Sequence, residues 1–152
     1  MRDVGVRTED DRVLPFAVEG LDVRGRVVKL GPALDRILRR HAYPPPVARV
    51  LGEATALTAL LGSALKFNGR FQLQTRTDGV IDMLVVDFDA PDRLRACARF
   101  DAERLAAMAE AGTLTTGDLL GHGHLALTVD QGAEMSRYQG VVALEGNDLE
   151  AA

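Results

Sequence analysis

Apolar residues are densest between residues 47 and 65. There Val47, Val50, Leu51, Ala54, Leu57, Leu61, Ala64 and Leu65 recur at helical spacing and form one stripe. The opposite side is small, with Ala48, Gly52, Thr55, Ala59, Gly62 and Ser63, so other elements can approach it closely. The proline run in "YPPPV" (43–47) holds the chain extended ahead of it. Arg49 and Glu53 interrupt the apolar run, and the uncharged stretch from Ala54 to Leu65 is shorter than the ~18–20 residues of a membrane span. A buried central helix is expected, and no membrane partner.

The flanking segments alternate differently. Residues 13–18 and 22–29 read as two strands joined at Glu19–Gly20, and Gly31-Pro32 opens a helix through His41 on the spacing of Leu34, Ile37 and Leu38. Asn68-Gly69 and Asp78-Gly79 are hairpin signals on either side of a strand at 70–76, where Phe71, Leu73 and Thr75 alternate with Gln72, Gln74 and Arg76. Residues 80–88 are almost continuously apolar, which predicts a strand covered on both faces. A strand at 93–100 precedes a helix at 101–112, capped by Asp101 and stopped by Gly112. Two more strands fall at 124–130 and 140–145, and Gly69, Gly79 and Gly140 are assigned to backbone geometry. Asn147, with Glu150 three positions later, reads as the capping box of one more helix. With about seven strands and three full helices in irregular order, the pattern predicts an α+β fold of antiparallel sheets packed around a buried central helix.

Composition narrows the class of protein. At 152 residues the chain suits one domain that buries about 68–70% of its unfolded surface. A net charge of −4 argues against a nucleic-acid partner, and Arg36, Arg39 and Arg40, without aromatic or glycine company, read as a solvated helix face. Cys97 stands alone, which excludes an internal disulfide and a cysteine-based metal cage; it reads as a small buried apolar residue. The first sixteen residues carry acids early and no apolar core of a signal peptide, so a reduced cytoplasm is the expected setting.

Candidate chemistry is sparse. His122 and His124 in "GHGH" would share one side of a strand if a strand begins there, but a metal site needs three or four ligands, and only Asp118 lies near in sequence. A Gly-rich turn with polar tips is the expected reading, and a stand-alone metal- or ligand-binding domain built on His122 and His124 is the alternative. His41 falls at a helix end, and Ser63 and Ser136 lack the context of a nucleophile. Phosphate-binding glycine loops are missing from the sequence. No catalytic, cofactor-binding or metal residue is assigned, and the chain reads as a non-enzyme.

Three blocks carry a resemblance. H-x-Y-P-x-P-V at His41–Val47, L-K-F-x-G at Leu65–Gly69 and R-Y-Q-G-V-V at Arg137–Val142 together resemble the amino-terminal domain of the heat-shock protein 33 family, over about four fifths of the chain. These are bacterial redox-regulated holdase chaperones. The resemblance implies that unfolded client proteins are the partners, that the domain forms homodimers, and that residues 1–152 are its client-binding and dimer-forming unit. It also implies a carboxy-terminal domain in which four cysteines bind zinc when reduced and form disulfides when oxidised. This sequence holds none of that quartet, so the expectation is a piece lacking the zinc domain and incomplete at its own carboxy-terminal end. Its own client binding would then be insensitive to peroxide.

Overall fold

Pro44 holds the extended position ahead of the long helix, and Pro45 and Pro46 occupy its first turn, where their missing N–H groups cost nothing. The computed structural model describes residues 10–65, 68–112, 114–132, 136–146 and 148–152. Two strands come first, β1 (Arg12–Val18) and β2 (Val23–Lys29), then the helices α1 (Pro32–Arg39) and α2 (Pro45–Ala64). Three strands follow, β3 (Arg70–Thr77), β4 (Ile81–Asp89) and β5 (Arg93–Phe100), then α3 (Ala102–Glu110) and the short α4 (Thr116–Leu120). The strands β6 (His122–Asp130) and β7 (Tyr138–Glu145) and a 3₁₀ turn at Leu149–Ala151 close the described chain.

β1 and β2 form a two-stranded antiparallel sheet, while the other five form an antiparallel sheet in the order β5-β4-β3-β6-β7. α2 packs against both sheets, so the α+β expectation and the buried central helix are both observed. Val47, Val50, Leu51 and Ala54 are fully buried and meet Leu73, Leu84 and Val86 from the sheet, with Leu119 and Leu120 closing one end. Each buried Leu of this kind contributes roughly 1.5–3 kcal/mol. By length and composition alone α2 could cross a membrane, yet both of its charges have partners within the fold. Arg49 donates to the Leu114 carbonyl, and Glu53 accepts the Thr116 hydroxyl at 2.8 Å. Together they tie α2 to the segment carrying α4.

The apolar stripe holds only for the first half of α2. Beyond Ala54 the buried positions are Thr55, Thr58, Ala59 and Gly62, while Leu61 and Leu65 are exposed. The bulk there comes from the sheet: Phe88 lies so close to Gly62 that a Cβ would sit 2.7 Å from its ring. Small residues therefore face the sheet, and the leucines turn outward. Thr55 and Thr58 satisfy their hydroxyls on the carbonyls of Leu51 and Ala54, both at 2.7 Å.

Other expectations need correction. β4 is not covered on both faces: Leu84, Val86 and Phe88 are buried, and Met83, Val85 and Asp87 between them are half-exposed. Asn68-Gly69 is not a hairpin turn, because it joins α2 to β3; Asp78-Gly79 does join two strands. Gly79 is required by close approach, since a Cβ would fall 2.3 Å from the Leu120 carbonyl oxygen. Gly140 has open space around it and no positive φ, so its assignment to backbone geometry finds no support. α4 was not anticipated, although Thr115 and Asp118 form its capping box. Asp101 caps α3 as expected, accepting from the Glu103 and Arg104 amides, and Gly112 stops it at φ +96°. Asn147 lies outside the described residues; the 3₁₀ turn after it buries Leu149 in the core.

Candidate functional site

The β1–β2 hairpin leaves an apolar face open. Strand alternation puts Leu14, Phe16 and Val18 on one face, and the register sets them opposite Val27, Gly25 and Val23. These side chains stay in solvent: Phe16 is 49% exposed, Val27 53%, and Leu21 at the turn 72%. The ring of Phe16 lies over Gly25, which has no side chain to displace it. Val13 and Val28, on the other face, are half-buried. A cavity of about 720 Å³ opens between the hairpin and the end of α2, lined by Phe16, Gly25, Leu60 and Leu61 among others. An isolated two-stranded hairpin is marginal in water, and this one rests mainly on α2.

A second open apolar region lies at the sheet edge. β7 pairs only with β6 among the described residues and exposes Tyr138, Val141 and Val142. No described strand pairs with its outer side, and such an edge can template another strand.

The face of the sheet away from α2 is held by paired charges rather than open ones. Arg70 bonds Asp89 at 2.7 Å, Arg95 reaches Asp87 at 3.2 Å, and Arg99 bonds Asp82 at 2.8 Å. The hydrogen bond from Arg99 holds the Asp82 carboxyl below its ordinary range, and that from Arg70 does the same for Asp89. Arg137 bonds Asp130 at 2.9 Å across the β6–β7 connection.

The residues singled out from the sequence do not converge. His122 and His124 lie in β6 rather than in a turn, both exposed, opposite Glu145 and Ala143. No group of three His, Cys, Asp or Glu side chains that could hold a metal occurs among the described residues. Cys97 is half-buried in β5, opposite Val85, and less enclosed than the sequence suggested. His41 stacks on Tyr43 with ring centroids 5.2 Å apart, and the Tyr43 hydroxyl accepts the Ala98 amide at 3.0 Å. Ser63 donates to the Leu60 carbonyl at 3.1 Å, an ordinary helix contact. The open hairpin face was missed, although its signal was present. Val13–Val18 is apolar at every position, which one covered face cannot explain.

Comparison with known proteins gives this surface a context. The family described as Hsp33 protein matches residues 11–152. The chain belongs to the Hsp33 family. A 33 kDa chaperonin of Caulobacter vibrioides is 52% identical over 149 residues, covering 97% of this chain and 48% of the relative. Another, from Ectopseudomonas mendocina, is 42% identical over 134 residues, covering 88% and 43%. The chain thus spans about half the length of the curated relatives it matches. The crystal structure of the Thermotoga maritima 33 kDa chaperonin superposes with a TM-score of 0.73 at 20% identity, over 90% of this chain and 47% of that one. That likeness supports the α+β fold. Hsp33 proteins are chaperones rather than enzymes, in line with the absence of an assigned catalytic residue. The zinc that the resemblance implies does not fit the residues present, since Cys97 is the single cysteine of the sequence.

Proposed function

We propose that residues 1–152 form the client-binding and dimer-forming unit of a cytoplasmic holdase, which captures unfolding proteins on exposed apolar surface and prevents their aggregation. The observation that carries this reading is the open face of Leu14, Phe16, Val18, Val23 and Val27 on the β1–β2 hairpin. Contiguous exposed apolar surface of this kind marks interaction sites. An unfolding chain offers apolar segments of no fixed sequence, so the surface that takes them needs area rather than a shaped polar pocket. The edge of β7, which no other described strand pairs, adds a second mode, strand addition, which is equally indifferent to sequence. Family membership supports the chaperone role.

Redox control belongs, on this reading, to residues that the longer relatives have outside the matched half. There a zinc-bound cysteine quartet would couple folding to oxidation. The residues described here then supply capture without the switch.

The test is suppression of thermal aggregation of a model client by this chain, compared with Phe16→Asp/Val27→Asp. Loss of protection in a variant that keeps its fold supports the hairpin face as the capture surface. Unchanged protection contradicts it.

A further inference from the structure

A second cavity, distinct from the hairpin face, lies where α1 meets the turn between β4 and β5. Its volume is about 620 Å³, inside the ~300–1,000 Å³ range of small-molecule sites. The floor is apolar: Ile37 from α1, Ala59 from α2, Phe88 from β4 and Leu94 from β5. Ala59 and Phe88 are buried, and Ile37 and Leu94 half-buried, so the floor continues the core.

The rim is cationic, with five arginines lining the cavity against three aspartates. The aspartates differ in how committed they are. Asp89 is bonded to Arg70, and Asp11 accepts the Gly31 and Ala33 amides at the start of α1. Among the arginines, Arg95 is engaged with Asp87 and Asp89. Arg93 stands opposite Asp89, and its charge helps to hold that carboxyl down. The side chains of Arg36 and Arg40 make no hydrogen bond or ion pair among the described residues, whereas their neighbour Arg39 is paired with Asp35 at 2.8 Å. Arg36 and Arg40 stand four positions apart, one helical turn, so they present two guanidinium groups on the same side of the opening.

We propose that this cavity binds a small anionic amphiphile, a single carboxylate carried on a hydrocarbon tail. The tail would lie on Ile37, Phe88 and Leu94, and the carboxylate would be held by Arg36 and Arg40. Guanidinium groups bind carboxylates through paired N–H donors, which suits a planar head group at the rim. Arg36 and Arg40 supply one pair of uncommitted guanidinium groups, which a single planar carboxylate can engage. None of the residues of the open hairpin face lines this cavity, to which β1 contributes only Arg12 and Val13 at its start.

Decanoate is the probe, titrated into the chain and followed by calorimetry and by amide chemical shifts. The expected result is saturable binding, with shifts concentrated in α1, at Phe88 and in residues 91–95. Decanol, which keeps the tail and lacks the charge, is expected to bind at least about tenfold more weakly, and acetate not measurably. Arg36→Ala/Arg40→Ala should weaken decanoate at least about tenfold, equivalent to ~1.4 kcal/mol, while Phe16→Ala changes it little. Both arginines are exposed and unbonded, so the double variant should keep its fold, which its amide spectrum checks. Failure to saturate overturns the proposal. So does decanol binding as tightly as decanoate, or a loss of binding with Phe16→Ala, which would place the ligand on the hairpin.

Discussion

The Phe88 ring lies against Gly62, and a Cβ on that glycine would come within 2.7 Å of ring carbon Cδ1 and 3.2 Å of the Phe88 Cβ. This contact fixes how the second half of α2 is rotated, and so decides that Leu61 and Leu65 face outward. Two effects oppose each other in Gly62→Ala. Removing a helix-interior glycine gains roughly 0.5–1 kcal/mol, whereas overpacking against a buried ring costs about 1–3 kcal/mol. The clash involves atoms near the Phe88 backbone that cannot swing away, so the cost wins. Urea unfolding should show a lower midpoint for Gly62→Ala with an unchanged slope. A higher midpoint would mean that Phe88 is free to move.

Tyr43 closes part of an exposed sheet edge. Its hydroxyl accepts the amide of Ala98 on β5, the outermost strand on that side, while its ring meets His41 and Phe100. Tyr43→Phe keeps the ring and leaves that amide without its partner. The expected loss is about 0.5–1.5 kcal/mol, together with faster hydrogen exchange at Ala98. Unaltered exchange there would show that the hydroxyl does not protect the edge.

Acid stability should depend on the paired carboxylates of the sheet. Asp82 and Asp89 have folded-state pKa values held below normal, mainly by hydrogen bonds from Arg99 and Arg70. A depressed folded value means that the unfolded chain takes up protons first as the pH falls. The stabilisation is therefore full above the unfolded Asp value, about 3.9, and disappears as pH drops through the lower folded values. Asp89→Asn should flatten the decline in stability below about pH 4 and leave its shape near neutrality unchanged. Both carboxylates are partly exposed, so the effect should shrink in high salt.

Much of this architecture was legible in the chain itself. The alternation of Phe71, Leu73 and Thr75 gave β3, and Asp101 with Gly112 bracketed α3, because those signals are local. α4 escaped because five residues carry no periodicity, even though Thr115 and Asp118 mark its start. The exposure of Leu61 was hidden for another reason. Which side of a helix is buried depends on the bulk of the partner, and Phe88 comes from a strand more than twenty positions away in sequence. The open hairpin face was half-legible: its apolar residues were plain, but not that nothing described here covers them. His122 and His124 kept the spacing noted for them, and no third ligand joins them among the described residues.

Self-association should follow from the same open surfaces. Sedimentation at rising concentration is expected to show species heavier than the monomer, because β7 has no second neighbouring strand among the described residues and the hairpin carries an exposed apolar face. Val27→Asp together with Val141→Lys, both at exposed positions, should shift the chain towards monomer without unfolding it. A wild-type chain that stays monomeric throughout would contradict the role given to these surfaces.

On the proposed function, capture of unfolding proteins resides in the residues described above and operates without a redox switch. It is tested most directly by the aggregation of a thermally unfolding client, followed by light scattering with this chain present, before and after peroxide treatment, with Cys97→Ser as the control for the lone thiol. The expected result is equal protection in both conditions, in the wild-type chain and in the control. Absence of protection in either condition would contradict the claim, as would protection that appears only after peroxide and persists in Cys97→Ser.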